Sequence, residues 1–267
     1  MKFRQLFALL TVLSLSSCAH MKLLKSDDYE LKWSKANEYY EQGKYRKAIE
    51  LLEDMKPVYK GTDRAEQAIY MLANAYYRSG DYYSATSQYQ LYYKTYPKGN
   101  FAEDCRFMSG KAAYVNSPDA RLSQEGTITA MDELNVFLEY YPQSSRREEV
   151  EFMLSELMEK LAYKALLNSQ LYYNLGNFMG NNYESCIITA SNALVDFPSS
   201  RYRHEFAFLI LESRWEYAKM SVDEQKAERL RSVVDEYYSF TQEYPESSHL
   251  KEAARIFESC NKLLTSK

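Results

Sequence analysis

The sequence predicts an all-α chain, a solenoid of about five helical hairpins closed by a C-terminal capping helix. Three observations carry this. Breakers are scarce, with 8 glycines and 6 prolines in 267 residues, while Leu, Ala, Glu, Lys and Tyr abound, which favours long helices over sheets. A block of small and aromatic residues recurs at an offset of 37. An aromatic-Pro pair recurs at Tyr96-Pro97, Tyr141-Pro142, Phe197-Pro198 and Tyr244-Pro245, with 45, 56 and 47 residues between the prolines.

The N-terminus reads separately from the repeats. Met1-Lys2-Phe3-Arg4 is a short basic segment, and Phe7 to Leu15 is apolar. That run is too short for a permanent membrane anchor and has the form of a secretory signal. Leu15-Ser16-Ser17-Cys18 is similar to a bacterial lipobox, an aliphatic residue and two small residues before Cys. The similarity implies a signal peptide over 1–17, a lipid on Cys18 and a lipidated tether over 18–28. A plain signal peptide with a chance Cys is the simpler alternative. Ala19 stands where lipoproteins retained at the inner membrane carry Asp, which implies a lipid-anchored, periplasm-facing place at the outer membrane. Losing Lys2 and Arg4 takes the formal net charge from -4 to -6. Neither value gives the basic field that nucleic acid requires, and 15% aromatic residues exclude a disordered chain.

The first two hairpins follow from the 37-residue offset. Ala36-Asn37, Tyr39-Tyr40, Gly43, Tyr45 and Ala48 align with Ala73-Asn74, Tyr76-Tyr77, Gly80, Tyr82 and Ala85. The alanines let helices approach closely, and the glycines suit the left-handed backbone at a helix C-terminus. One helical pair cannot bury its own apolar face, so copies must stack. The pattern resembles the tetratricopeptide repeat, which implies a right-handed solenoid. In it, Tyr39, Tyr45, Tyr76, Tyr82 and Tyr89 are expected in the core.

Each aromatic-Pro pair ends the second helix of a repeat, because Pro lacks an N–H and disfavours helix in the residue before it. Asn100 with Glu103, Ser145 with Glu148, and Ser221 with Glu224 have the spacing of capping boxes, and Ser200 and Ser248 are candidate caps. The third repeat is expected as helices over roughly 101–115 and 126–141, joined through a corner at Asn116-Ser-Pro118-Asp119. In the fourth, the period of Val150, Met153, Leu154, Leu157, Leu161, Ala165 and Leu166 predicts a long helix over roughly 146–179, turned at Asn181-Asn182. Helices over roughly 200–219 and 225–243 form the fifth, and roughly 247–264 is the cap. The expected division is 29–142 for repeats one to three and 143–267 for the rest.

The concave face of such an array is lined by first helices. The candidate peptide groove is therefore Trp33, Asn37, Tyr40, Tyr70, Asn74, Tyr77 and Arg78, with Glu41 beside it. Asn37 and Asn74 fall where some repeats of this type bind a peptide backbone or carboxylate. Trp33 and Tyr70 stand where a full carboxylate clamp has Lys. Aromatics with amides suit an extended, aromatic-ended peptide, and Arg78 suits its terminal carboxylate. Packing between repeats is the competing role for the same tyrosines. Exposed charge at a helix start accounts for Arg201-Tyr202-Arg203-His204, with contact to an acidic partner as the alternative.

No catalytic residues, cofactor or metal site emerge. Cys105, Cys186 and Cys260 lack C-x-x-C spacing and read as small buried residues. His20, His204 and His249 are far apart in sequence. There is no H-E-x-x-H, phosphate loop or nucleophile elbow. The chain is therefore expected to bind rather than catalyse.

Five repeats, a lipobox and one overlong helix together resemble the BamD family, lipoprotein subunits of the outer-membrane β-barrel assembly machine. Leu122 to Phe137 followed by Tyr141-Pro142 resembles the family's third-repeat second helix, and Leu171-Tyr172-Tyr173 with Gly180-Asn-Asn-Tyr183 its fourth-repeat turn. The resemblance implies docking of the C-terminal half on a POTRA domain of the barrel-assembly protein BamA. It also implies that the N-terminal repeats receive the C-termini of unfolded outer-membrane proteins. The family's Ala-Ala-x-x-Arg run is Ser185-Cys186-Ile187-Ile188-Thr189 here, so a contact made by that Arg does not carry over. Other envelope lipoproteins compete: a pilotin-like secretion factor, a coordinator of division or peptidoglycan synthesis, and a glycan-binding SusD-like protein, a type that is much longer.

Overall fold

The computed structural model describes residues 19–62 and 64–266, so the expected signal segment 1–17 and Cys18 lie outside the described residues. Those residues are helical, with no strand among them. A short helix at 19–24 (α1) precedes α2 (Tyr29–Glu41), α3 (Tyr45–Tyr59), α4 (Ala65–Ser79), α5 (Tyr82–Thr95), α6 (Ala102–Asn116), α7 (Glu125–Tyr140), α8 (Arg147–Leu175), α9 (Asn182–Asp196), α10 (Arg203–Lys219), α11 (Asp223–Glu243) and α12 (Leu250–Thr265). The all-α class and the order of hairpins are those the sequence predicts. Two compact units divide within α8. One holds the described residues up to Ser117 with Glu125–Met153, the other Pro118–Gln124 with Leu154 onward.

In the first unit the helices from α2 to α7 pack in consecutive pairs. The 37-residue offset reappears as repeated geometry. Gly43 and Gly80 are left-handed, with φ of 71° and 84°, a conformation in which a Cβ is strained. Gly80 and Asp81 donate to the Tyr77 and Tyr76 carbonyls (both 3.1 Å), and Gly43 and Lys44 do the same to Tyr40 and Tyr39 (3.0 and 2.8 Å). Tyr40 meets Tyr45 edge-on at 5.5 Å, and Tyr77 meets Tyr82 edge-on at 5.3 Å. Ala36, Ala48, Ala73 and Ala85 are fully buried. Tyr89 is fully buried too, whereas Tyr39, Tyr45, Tyr76 and Tyr82 are half-buried. The segment expected as a tether is partly structured: Leu23 and Leu24 pack on the α2–α3 core, and His20 is buried beside Glu50 at 2.6 Å.

The capping boxes expected at Asn100 and Ser221 do not form. Helices α6, α10, α11 and α12 start from Phe101, Tyr202, Val222 and His249, none of which caps with its side chain. The aromatic-Pro corners instead share one tertiary arrangement. Each corner aromatic closes a last helical bond to the residue four earlier: Tyr96 to Tyr92 at 2.8 Å, Tyr141 to Phe137 at 2.9 Å, Phe197 to Ala193 at 3.0 Å and Tyr244 to Phe240 at 2.9 Å. The residue two past each Pro donates back to the aromatic carbonyl. Where that residue is Ser144, Ser200 or Ser247, its hydroxyl accepts the N–H two residues on, at 3.2 Å each time, a local serine turn.

A glutamate from the first helix of the same repeat then holds the corner. Glu103 accepts from the Ser144 hydroxyl (2.7 Å), and Glu159 from the Ser200 hydroxyl and the Arg201 N–H (3.0 and 3.1 Å). Glu66 accepts from the Asn100 N–H (2.8 Å) and the Tyr92 hydroxyl. This is why the Asn100 box fails: Glu103 serves the Ser144 corner, and the Asn100 N–H is already taken by Glu66. Gly99 replaces serine in the second repeat because a Cβ there would lie 2.7 Å from both Glu66 Oε1 and the Tyr92 oxygen.

In the second unit, Leu166 of α8 packs with Cys186, Ala190 and Ala193 of α9 and Phe206, Leu209 and Ile210 of α10. The long helix is 29 residues. It stops at Leu175, short of 179, because Gly176, Met179 and Gly180 all take positive φ. Asn181 then caps α9 by accepting from the Glu184 N–H at 3.3 Å. The final helix α12 buries Ala253, Ile256 and Cys260 in a cluster with Leu230, Val233 and Phe240 of α11. The three described cysteines are buried and unbridged.

Candidate functional site

The groove candidates sit on α2 and α4, and the structure divides them by what their polar atoms already contact. Asn37 donates its amide to the Trp33 carbonyl (2.8 Å), and Asn74 donates to the Tyr70 carbonyl (2.9 Å). The recurrent Asn therefore has an intrahelical role. Asn74 also accepts the Tyr89 hydroxyl at 3.0 Å. The matching position in the first repeat is Leu52, which has no hydroxyl, so Asn37 keeps the oxygen that Asn74 gives up.

Tyr70 belongs to the packing. It stacks on Phe101 at 4.0 Å with the rings nearly parallel, and its hydroxyl donates to Asp104 at 2.7 Å. Burial, followed by Asp104, pushes that hydroxyl up to about 12. Trp33 meets Tyr59 edge-on at 5.7 Å, and the Arg64 guanidinium lies 5.9 Å from each ring. Tyr40, Tyr77 and Arg78 remain toward solvent: both tyrosines are half-buried and Arg78 is exposed. Burial raises the Tyr40 hydroxyl, and the neighbouring Arg78 opposes that shift. The structure thus brings Tyr40 of α2 and Arg78 of α4 together.

A second concavity escaped the sequence reading. A cleft of about 470 Å³ is lined by Leu52, Pro57, Ala68, Ile69, Leu72 and Leu91, from α3, α4 and α5. Its sequence signal was Pro57, which lies inside α3 and leaves the carbonyl four residues back without a helical donor. The small Ala65 and Ala68 leave room on its floor.

In the second unit, Glu212 is the most strongly perturbed carboxyl, pushed up to about 7 chiefly by burial, then by Glu252, with His249 opposing. A folded-state value above the ordinary 4.5 means that the native state holds this proton more tightly than the unfolded chain. The stability so contributed is complete below the unfolded value and is lost as pH rises through about 7. Glu212→Gln, which cannot ionise, is therefore expected to lose less stability than wild type between about pH 5 and pH 8. Urea midpoints at the two pH values test this, and equal losses in both proteins would count against it.

Stacked hairpins with half-exposed aromatics on their first helices define a helical-repeat protein of the tetratricopeptide type. Among the described residues no helix is long and apolar enough to cross a membrane. The chain matches the family model of YfiO, described as an outer membrane lipoprotein, over residues 26–181, and belongs to that family. No curated protein matches it.

Proposed function

We propose that this outer membrane lipoprotein acts in β-barrel assembly. It is held by a lipid on Cys18, binds a BamA-type protein through a POTRA domain with its C-terminal repeats, and receives the C-terminal segments of unfolded outer-membrane proteins on its N-terminal repeats. The family match carries this reading, because it runs through the first three repeats and the long α8 to the turn before α9. The work is binding and presentation, with no bond made or broken. In the receiving surface Tyr40 and Tyr77 offer faces to an aromatic peptide end, Asn37 offers an acceptor, and Arg78 meets the terminal carboxylate. Tyr70, Asn74 and Trp33 support that surface from behind. Docking on BamA proceeds without the family's Arg, whose place Thr189 takes.

Affinity capture of the full chain from detergent-solubilised outer membranes tests this. Recovery with a BamA-type barrel protein supports it. Recovery with secretin, pilus or peptidoglycan-synthesis components alone would refute it. At the receiving surface, Arg78→Ala is expected to weaken binding of a barrel-protein C-terminal peptide by roughly tenfold, as loss of a charge-assisted contact implies. Unchanged affinity, measured by fluorescence anisotropy, would move the receiving surface elsewhere, with the α3–α5 cleft as the next candidate.

A further inference from the structure

We propose that His204, Glu205 and His249 form a binding site for a divalent transition-metal cation of the zinc type, which clasps the start of α10 to the start of α12. Each residue offers one ligand atom, and the three atoms lie within 4.8 Å of one another. Among the described residues this is the one cluster of His, Cys, Asp and Glu so arranged. Glu205 bridges the two rings, with one oxygen 3.0 Å from His249 Nε2 and the other 3.8 Å from His204 Nδ1. Ligand atoms bonded to zinc at about 2.0–2.1 Å stand roughly 3.3 Å apart in a tetrahedron. The two Glu205 spacings straddle that value, and all three atoms lie within 4.8 Å, so small side-chain rotations close the site.

Two features separate this cluster from an ordinary corner. Glu205 is the fourth in the series of corner glutamates, after Glu66, Glu103 and Glu159, but here imidazoles replace the serine hydroxyl and backbone N–H groups seen at the other corners. His204 Nδ1 is shielded from water and has no hydrogen-bond partner. A buried polar atom in that state is costly unless something coordinates it. His249 is held in place: its ring stacks on Phe208 at 4.1 Å, and its backbone N–H donates to Ser247 Oγ at 3.2 Å. A ligand so fixed loses little freedom on binding metal.

The surroundings accept a cation. Glu252 and His249 both act on the Glu212 carboxyl, which places further acidic groups beside the cluster. Arg203, next to His204 in sequence, is turned to Glu243 at 2.8 Å and to the Leu194 carbonyl at 2.8 Å. A cleft of about 550 Å³ borders His204 and is otherwise lined by Glu243 and the Tyr244 to Ser248 corner, so the same side-chain rotations that close the site would open it to a water as fourth ligand. Two imidazoles and one carboxylate favour zinc-like ions over Mg²⁺ and Ca²⁺, which prefer all-oxygen sets.

The test is equilibrium dialysis of the untagged full chain, chelator-treated and kept in detergent, against Zn²⁺ alone, with an excess of Mg²⁺ as competitor. About one Zn²⁺ per chain is expected, undisturbed by Mg²⁺. His204→Gln and His249→Gln should each weaken uptake at least about tenfold, the usual effect of losing a ligand or its support. His20→Gln, remote in sequence and bonded to Glu50, should leave it unchanged. Because His249 also packs on Phe208, His204→Gln with a wild-type circular-dichroism spectrum is the deciding variant. Co²⁺ in place of Zn²⁺ should show the visible absorption of a tetrahedral site in wild type and lose it in that variant. No stoichiometric uptake, or uptake that survives His204→Gln, overturns the proposal and leaves Glu205 as a fourth corner clamp.

Discussion

Replacing Phe137 by alanine is expected to cost about 4 kcal/mol of stability, near the upper part of the range for a buried aromatic. The side chain is fully buried in α7. It meets Phe107 of α6 edge-on at 5.7 Å and Tyr141 of the following corner at 5.5 Å. Phe107 in turn lies 4.4 Å beneath the Arg146 guanidinium, which pairs with Asp104 at 2.6 Å. Truncation thus removes the ring that fixes α6, α7 and the Tyr141-Pro142 corner together. Such a site collapses poorly, because its walls are held by their own polar contacts. Phe137→Leu, which keeps most of the volume, should cost under about 1.5 kcal/mol. Urea unfolding of the three proteins gives the comparison. A cost for alanine no larger than that for leucine would mean that the corner does not depend on this ring.

Glu133→Ala is expected to cost about 3 kcal/mol, because it strands several donors at once. One carboxylate of α7 accepts from Gln90 Nε2 (2.8 Å) and the Tyr93 hydroxyl (3.0 Å) of α5, and from the Ser109 hydroxyl (2.7 Å) of α6. Ser109 is fully buried and Tyr93 nearly so. Burial, followed by Glu133, pushes the Tyr93 hydroxyl far above its ordinary range. Glu133→Gln retains an acceptor oxygen and should cost roughly 1 kcal/mol. The order alanine, glutamine, wild type in denaturation midpoint is the expected signature. Equal midpoints for the alanine and glutamine variants would show that side-chain volume, and not the acceptor, is what α7 contributes there.

Features governed by local backbone rules were legible in the sequence. The left-handed turns fall at Gly43 and Gly80, the corners at the aromatic-Pro pairs, and the fourth first helix is overlong. Alanines at the offset of 37 are buried as close packing requires. The family resemblance, built on the repeats and the overlong helix together with the lipobox, agrees with the family match over 26–181.

Features governed by partners were not legible. The motif Asn100 with Glu103 matches a capping box in spacing, yet Glu103 serves the hydroxyl of Ser144, 41 residues on. Tyr70 and Tyr77 look equivalent as first-helix aromatics. Only Tyr70 finds a stacked Phe101 and an Asp104 acceptor, so only Tyr77 stays available to a ligand. His204 and His249 carry no local spacing signal, but α10 and α12 bring their rings to 6.0 Å.

By itself, then, the sequence determined the helices, their turns and the places where they stop, since φ/ψ preference, proline's missing N–H and apolar periodicity act over a few residues. Which hydroxyl, carboxylate or imidazole meets which was decided only by the tertiary structure. Those partners commonly lie about one repeat apart in the chain, and their pairing depends on how one hairpin seats on the next.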